Sequence, residues 1–191
     1  TNPGANCGTL GNATLVGACR LTAPQIAAIS YTSFLALTEA QTAALSTTQI
    51  HALNSSQISS LSDADLNQMT TTQIQSLSLD QVHALSTTQL GSLTATTLSR
   101  FYTSKIGALL QTQEQALTST QLNGLSSADV GALNVSNLTE TQIGGLSTAV
   151  TSFTTTQVRA LNTTQIGALS TEALSWLSTD RKSTRLNSSH A

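Results

Sequence analysis

An apolar residue returns every eight positions along most of this 191-residue chain. Counted from Leu21, the series Leu21, Ile29, Leu37, Leu45, Leu53, Leu61, Met69, Leu77, Leu85, Leu93, Phe101, Leu109, Leu117, Leu125 and Leu133 is apolar at all fifteen places. A second series lies five residues further on, from Ile26 to Leu138. It is apolar at thirteen of fifteen places, the exceptions being Thr42 and Glu114. A period of eight fits neither regular structure. A continuous α-helix turns about 100° per residue, so the apolar stripe would rotate by about 80° per octad and never face one core. A strand needs a period of two, and here the apolar places alternate in parity.

A helix that breaks and restarts in each octad does fit. The consensus is L-S-T-T-Q-I-x-A, and Leu45–Ala52 is a near-ideal copy. Position 2 is Ser, Thr or Asn in thirteen of the first fifteen octads, with Tyr102 and Leu110 the exceptions, and position 5 is most often Gln. S/T-x-x-Q is a capping box, in which the hydroxyl accepts from the N3 amide and the Gln side chain reaches back to the N-cap amide. The apolar residues at positions 1 and 6 then stand at N′ and N4, the two halves of a hydrophobic staple. Ser46 with Gln49, Ser86 with Gln89 and Asn162 with Gln165 are expected caps. Pro24 falls inside the first turn, where the missing amide proton costs little. A helix under two turns long does not stand alone. The octads must therefore stack on a shared core, which makes an all-α solenoid of very short helices the expected fold. Leu45, Ile50, Leu53, Ile58, Leu61, Ile74, Leu77, Val82, Leu85, Leu90 and Leu93 are its expected core. A β-solenoid is the alternative, to which β-branched Thr would lend itself.

The array is expected over residues 21–179, with a phase slip at 134–153, where the step from Leu133 to Phe153 falls between two whole octads and three. Residues 1–20 hold Cys7 and Cys19 among several glycines and read as a loop or cap. The cysteines are disulfide candidates closing a short loop; with no local His or acid they do not make a tetrahedral metal site. The chain opens on Thr1 with no secretory pattern ahead of it, so an interior piece of a longer protein is expected. Residues 180–191 are set apart as non-native: Asp180–His190, D-R-K-S-T-R-L-N-S-S-H, is the translation of a common sequencing-library adapter.

Composition narrows the function. Only 8% of residues are charged and the net charge is −2, which supplies no electrostatic footprint for nucleic acid. No apolar run approaches the roughly 18 residues of a spanning helix. Ser and Thr together are 59 of 191 residues. No phosphate loop, dinucleotide fingerprint, nucleophile elbow or zinc-protease motif occurs, so no catalytic, cofactor or metal residues are expected and the chain is not read as an enzyme. His51 and His83 both occupy position 7, four octads apart, where they could share one face. That position also holds Ala, Ser, Asn, Gln, Gly and Arg, the variety of a tolerant, solvent-facing place. Asp63, Asp65, Asp80, Asp129 and Glu140 sit at cap and first-turn positions, where they complement the helix dipole. Phe101, Tyr102, Lys105, Leu110 and Glu114 break the consensus together.

The octads L-S-T-T-Q-I-H-A-L (45–53), L-S-T-T-Q-L-G-S-L (85–93) and L-N-T-T-Q-I-G-A-L (161–169) resemble the short Thr/Gln/Leu repeats of large secreted bacterial surface proteins of the adhesin or haem-utilisation/adhesion exoprotein type. The resemblance implies export, an extracellular or cell-surface location, and a stalk, spacer or adhesive role. The partners it implies are neighbouring repeats of a longer parent chain; no haem-ligand constellation accompanies it. The alternative function is a module for a repetitive surface such as ice or glycan. Its ordered ranks would be Thr47, Thr48, Thr71, Thr72, Thr87, Thr88, Thr163 and Thr164 at positions 3 and 4.

Overall fold

A computed structural model describes residues 21–177; Cys7, Cys19 and the adapter-like segment lie outside them. The array divides into two compact units between Ser92 and Leu93. The first contains α1 (Ala23–Ala27), α2 (Tyr31–Leu35), α3 (Glu39–Ala43), α4 (Thr47–His51), α5 (Ser55–Ser60), α6 (Asp63–Gln68), α7 (Thr71–Ser76), α8 (Leu79–His83) and α9 (Thr87–Ser92). The second contains α10 (Ala95–Leu98), α11 (Thr103–Ile106), α12 (Gln111–Ala116), α13 (Ser119–Asn123), α14 (Ser127–Ala132), the 3-10 turn η1 (Val135–Asn137), α15 (Glu140–Gly144), the 3-10 turn η2 (Thr148–Ser152), α16 (Thr155–Ala160), α17 (Thr163–Ala168) and α18 (Thr171–Trp176). No strand occurs among the described residues, so the all-α expectation stands and the β alternative falls.

Each octad supplies one helix, and its own residues start and stop it. The N-cap residue is extended, as at Ser46 with ψ 159° and Asn54 with ψ 167°. No described residue has a positive φ, so these helices do not end on a left-handed glycine. They end because the next Leu or Met goes extended, as at Leu61 (φ −59°, ψ 134°), Met69 (−57°, 135°) and Leu77 (−57°, 132°). That residue then drops into the core: all eleven expected core residues are buried.

The packing order defines the turn. In the first unit α1 packs on α4, α2 on α5, α3 on α6, α4 on α7, α5 on α8 and α6 on α9. Each helix therefore meets the helix three octads on, and three octads make one superhelical turn. The second unit keeps the rule, with α10 on α13, α11 on α14 and α15 on α17.

The phase slip is a shortened turn with the same three elements. The stretch from Leu133 to Ser152 is shorter than three octads yet holds three repeats, led by Leu133, Leu138 and Leu146 and carrying η1, α15 and η2. η1 packs on α12 and on α16, and η2 packs on α14 and on α18, so the every-third pairing runs through unbroken. The two clipped repeats are 3-10 turns, whose greater rise per residue suits fewer residues per element.

Candidate functional site

The most repeated chemistry of the molecule is the position-5 glutamine. Gln81 is typical. Its Oε1 accepts from the Ser78 backbone N–H at 2.8 Å, and Ser78 Oγ accepts from the Gln81 N–H at 3.2 Å. Its Nε2 donates to the carbonyls of Ile50 (2.8 Å), His51 (3.2 Å) and Leu53 (2.7 Å), one turn back. The side chain is 4% exposed. One amide thus caps its own helix with its oxygen and ties that helix to the turn below with its nitrogen, using both donor hydrogens.

The same bond recurs with fixed spacing. Gln49 donates to Leu21 (2.7 Å), Gln57 to Ile29 (3.2 Å), Gln73 to Leu45 (2.8 Å) and Gln89 to Leu61 (2.7 Å), each 28 residues back. In the second unit Gln121 donates to Leu93 over 28 residues. Across the shortened turn Gln142 donates to Leu117 over 25 and Gln157 to Leu133 over 24. The expected caps are in place: Ser46 N–H donates to Gln49 Oε1 (2.8 Å), Ser86 N–H to Gln89 Oε1 (2.8 Å) and Asn162 N–H to Gln165 Oε1 (2.9 Å).

Position 7 is exposed or half-buried, as its solvent-facing reading expects, and in several octads it also carries a second tie. His51 Nδ1 lies 3.0 Å from the Ser76 carbonyl, and since a carbonyl only accepts, Nδ1 donates. Asn67 Nδ2 donates to Ser92 O (3.1 Å), Gln115 Nε2 to Asn137 O (3.0 Å) and Asn123 Nδ2 to Gly145 O (2.9 Å). These reach forward one turn, whereas the glutamines of position 5 reach back. His51 and His83 do not share a face. α4 stacks on α7 while α8 stacks on α5, so four octads amount to one turn and a third. No group of three His, Cys, Asp or Glu able to hold a metal occurs among the described residues.

The irregular octads depart from the consensus in different ways: Lys105 and Asp129 stand where glutamine is usual, while Gln113 remains beside Glu114 and accepts from the Leu110 N–H at 3.1 Å. Tyr102 caps α11 without a side-chain hydrogen bond, and Lys105 Nζ stands 5.3 Å from its ring centroid, in cation–π range. Partial burial lowers the Lys105 pKa. Asp129 replaces Gln and accepts from Thr103 Oγ1 at 2.6 Å and Ser126 Oγ at 2.7 Å. Glu114 occupies an apolar place and is 1% exposed. Its Oε1 accepts from Asn134 N–H (2.9 Å) and its Oε2 from Asn137 Nδ2 (2.6 Å). Burial raises its pKa, against the two hydrogen bonds, which lower it. Glu114 and the phase slip are therefore one feature: the carboxylate takes the backbone and side-chain donors of the clipped repeat, which has no glutamine at its helix start.

The threonine ranks are sorted by the three-octad turn. Thr47 and Thr48 stack with Thr71 and Thr72, because α4 packs on α7. Thr87 and Thr88 lie on α9, in the column of α6, where Asp63 and Ala64 occupy the corresponding places. The eight threonines thus form no single rank. In the first unit Tyr31 is 53% exposed and borders a cavity of about 470 Å³, lined also by Asn54, Ser55, Ser56 and Gln57. No helix among the described residues is long and apolar enough to cross a membrane.

Two stretches, residues 63–95 and 150–179, match the family model of the ALTTAQ repeat. Together they are about a third of the chain, and both consist of the octads built above. No curated protein and no solved structure matches the chain. The match agrees with a repeat-containing structural segment.

Proposed function

We propose that the chain is a structural or adhesive repeat segment, a stalk or spacer, of an exported bacterial surface protein. The observation that carries the reading is the glutamine tie, which keeps one register of 28 residues through the glutamine-bearing octads of the first unit from Gln49 to Gln89. Each turn offers the next one the same carbonyls at the same spacing, so turns add without a new interface. The low charge and the Ser- and Thr-rich composition suit a surface where weak contacts accumulate over copies. The reading gives the chain no catalytic role. The test is limited proteolysis of intact cells carrying the parent protein, followed with an antibody to residues 21–177. Loss of signal without lysis supports the reading; protection until the cells are lysed overturns it.

A glycan-binding reading is favoured by one observation, the exposed Tyr31 ring beside the uncharged hydroxyls and amide of Asn54, Ser55 and Ser56. An aromatic face with neutral polar neighbours suits a neutral saccharide. Glycan-array binding that disappears in Tyr31→Ala supports it, and an array without binding removes it.

A further inference from the structure

In the first unit one octad has an acid where its neighbours on either side carry the tying amide. Every position-5 glutamine from Gln49 to Gln89 donates to the carbonyl 28 residues back. The same step from Asp65 arrives at Leu37, and the companion bond, made by Gln57, Gln81 and Gln89 over 31 residues, arrives at Phe34. The register at this place is fixed independently, since α3 packs on α6 and Gln68 Nε2 donates to Glu39 Oε2 at 3.1 Å. Asp65 Oδ2 plays the part of the glutamine oxygen, accepting from Ser62 N–H (3.0 Å) and Ser62 Oγ (2.6 Å). Oδ1 takes the branch that elsewhere bears the NH₂ group. It is buried, and it is the only buried side-chain polar atom among the described residues without a hydrogen-bond partner.

A glutamine nitrogen brings two donor hydrogens to the carbonyls below, and a carboxylate oxygen brings none. Oxygen facing oxygen in a water-poor place is unfavourable unless a positive group stands between. Residues 21–92 contain Glu39, Asp63, Asp65 and Asp80 but no Lys or Arg, so no side-chain ammonium or guanidinium from this stretch fills that role. We propose that Asp65 Oδ1, with the Leu37 and Phe34 carbonyls, holds a monovalent cation of potassium or ammonium size between α3 and α6. One carboxylate and neutral carbonyls match a single positive charge. The lattice spacing points the same way: the nitrogens that occupy this place in other octads lie 2.7–3.2 Å from their carbonyl oxygens. Calcium draws its oxygens to about 2.3–2.6 Å, closer than this spacing.

The experiment is urea unfolding of the full chain in potassium, ammonium, sodium and choline chloride at equal ionic strength, for the wild type and for Asp65→Gln. For a site half-filled near 10 mM, 100 mM potassium lowers the unfolding equilibrium constant roughly tenfold relative to choline. Ammonium is expected to act like potassium, and sodium less. Asp65→Gln restores the donor and should unfold identically in all four salts. Asp65→Asn serves as a second variant should Asp65→Gln not fold. Crystals grown in rubidium chloride should show an anomalous peak beside Asp65 Oδ1. Equal wild-type stability in all four salts, which a bridging water would give, overturns the proposal. So does a potassium effect that survives in both variants.

Discussion

Replacing Gln81 by Met separates a cap from a tie between turns. Met matches the length of Gln and fills the same 4%-exposed place, so the change removes polar bonds while keeping volume. It strands the Ser78 N–H, whose partner is Gln81 Oε1, and the Leu53 carbonyl, which takes the 2.7 Å bond from Nε2. The Ile50 carbonyl keeps the Leu53 N–H at 3.1 Å and is not stranded. The buried Leu53 carbonyl left without a partner costs about 1–3 kcal/mol and the half-buried Ser78 N–H less, hence about 2–4 kcal/mol in all. Ser78→Ala removes only the hydroxyl half of the box and should cost about 1 kcal/mol. Urea unfolding followed by far-ultraviolet circular dichroism compares the two directly. Gln81→Met should be at least twice as costly as Ser78→Ala. Equal costs would mean that the glutamine caps its helix and does nothing more, and the lattice argument would fail.

Other substitutions probe the shortened turn and the close approaches beside it. Burial raises the Glu114 pKa, so its contribution to stability is complete below the ordinary carboxylate range and is lost as pH rises through the raised folded value. Glu114→Gln should therefore gain on the wild type as pH rises above the ordinary carboxylate range in paired unfolding curves, and a gap that is flat or narrows with pH would refute this. A Cβ at Gly145 would lie 2.7 Å from Ser119 Cβ, so Gly145→Val should lower stability by about 1–3 kcal/mol. Gly167 has nothing within 4 Å of such a Cβ and sits inside α17, so Gly167→Ala should raise stability by about 0.5–1 kcal/mol. The opposite order in thermal melts would count against the placement of both glycines.

The octad made the helix starts readable. Leu45 with Ile50 and Ser46 with Gln49 carry their roles in local spacing alone, since cap and staple both fall within a single octad. The three-octad turn was not readable in the same way. It follows from how far the chain rotates at each extended Leu or Met, and no residue type advertises that angle. One clue to the tie was present. A capping box accepts Glu as readily as Gln, yet no octad carries Glu at position 5. A demand for the amide nitrogen explains that preference, but its target lies more than three octads back and emerges only once the turn is known. For the same reason Glu114 and the slip looked like two irregularities, and the position-7 ties of His51 and Asn67 looked like tolerance. Asp65 read as an ordinary first-turn acid because its orphaned oxygen exists only in the stacked structure.

The most direct measurement is a nuclear Overhauser map of the glutamine side-chain amides in isotopically labelled chain. The Gln81 Nε2 protons should show contacts to residues 50–54 and the Gln73 protons to residues 43–46, with slowed solvent exchange at both. Contacts confined to the glutamine's own octad and its immediate neighbours, with fast exchange, would contradict a turn of three octads held by these bonds.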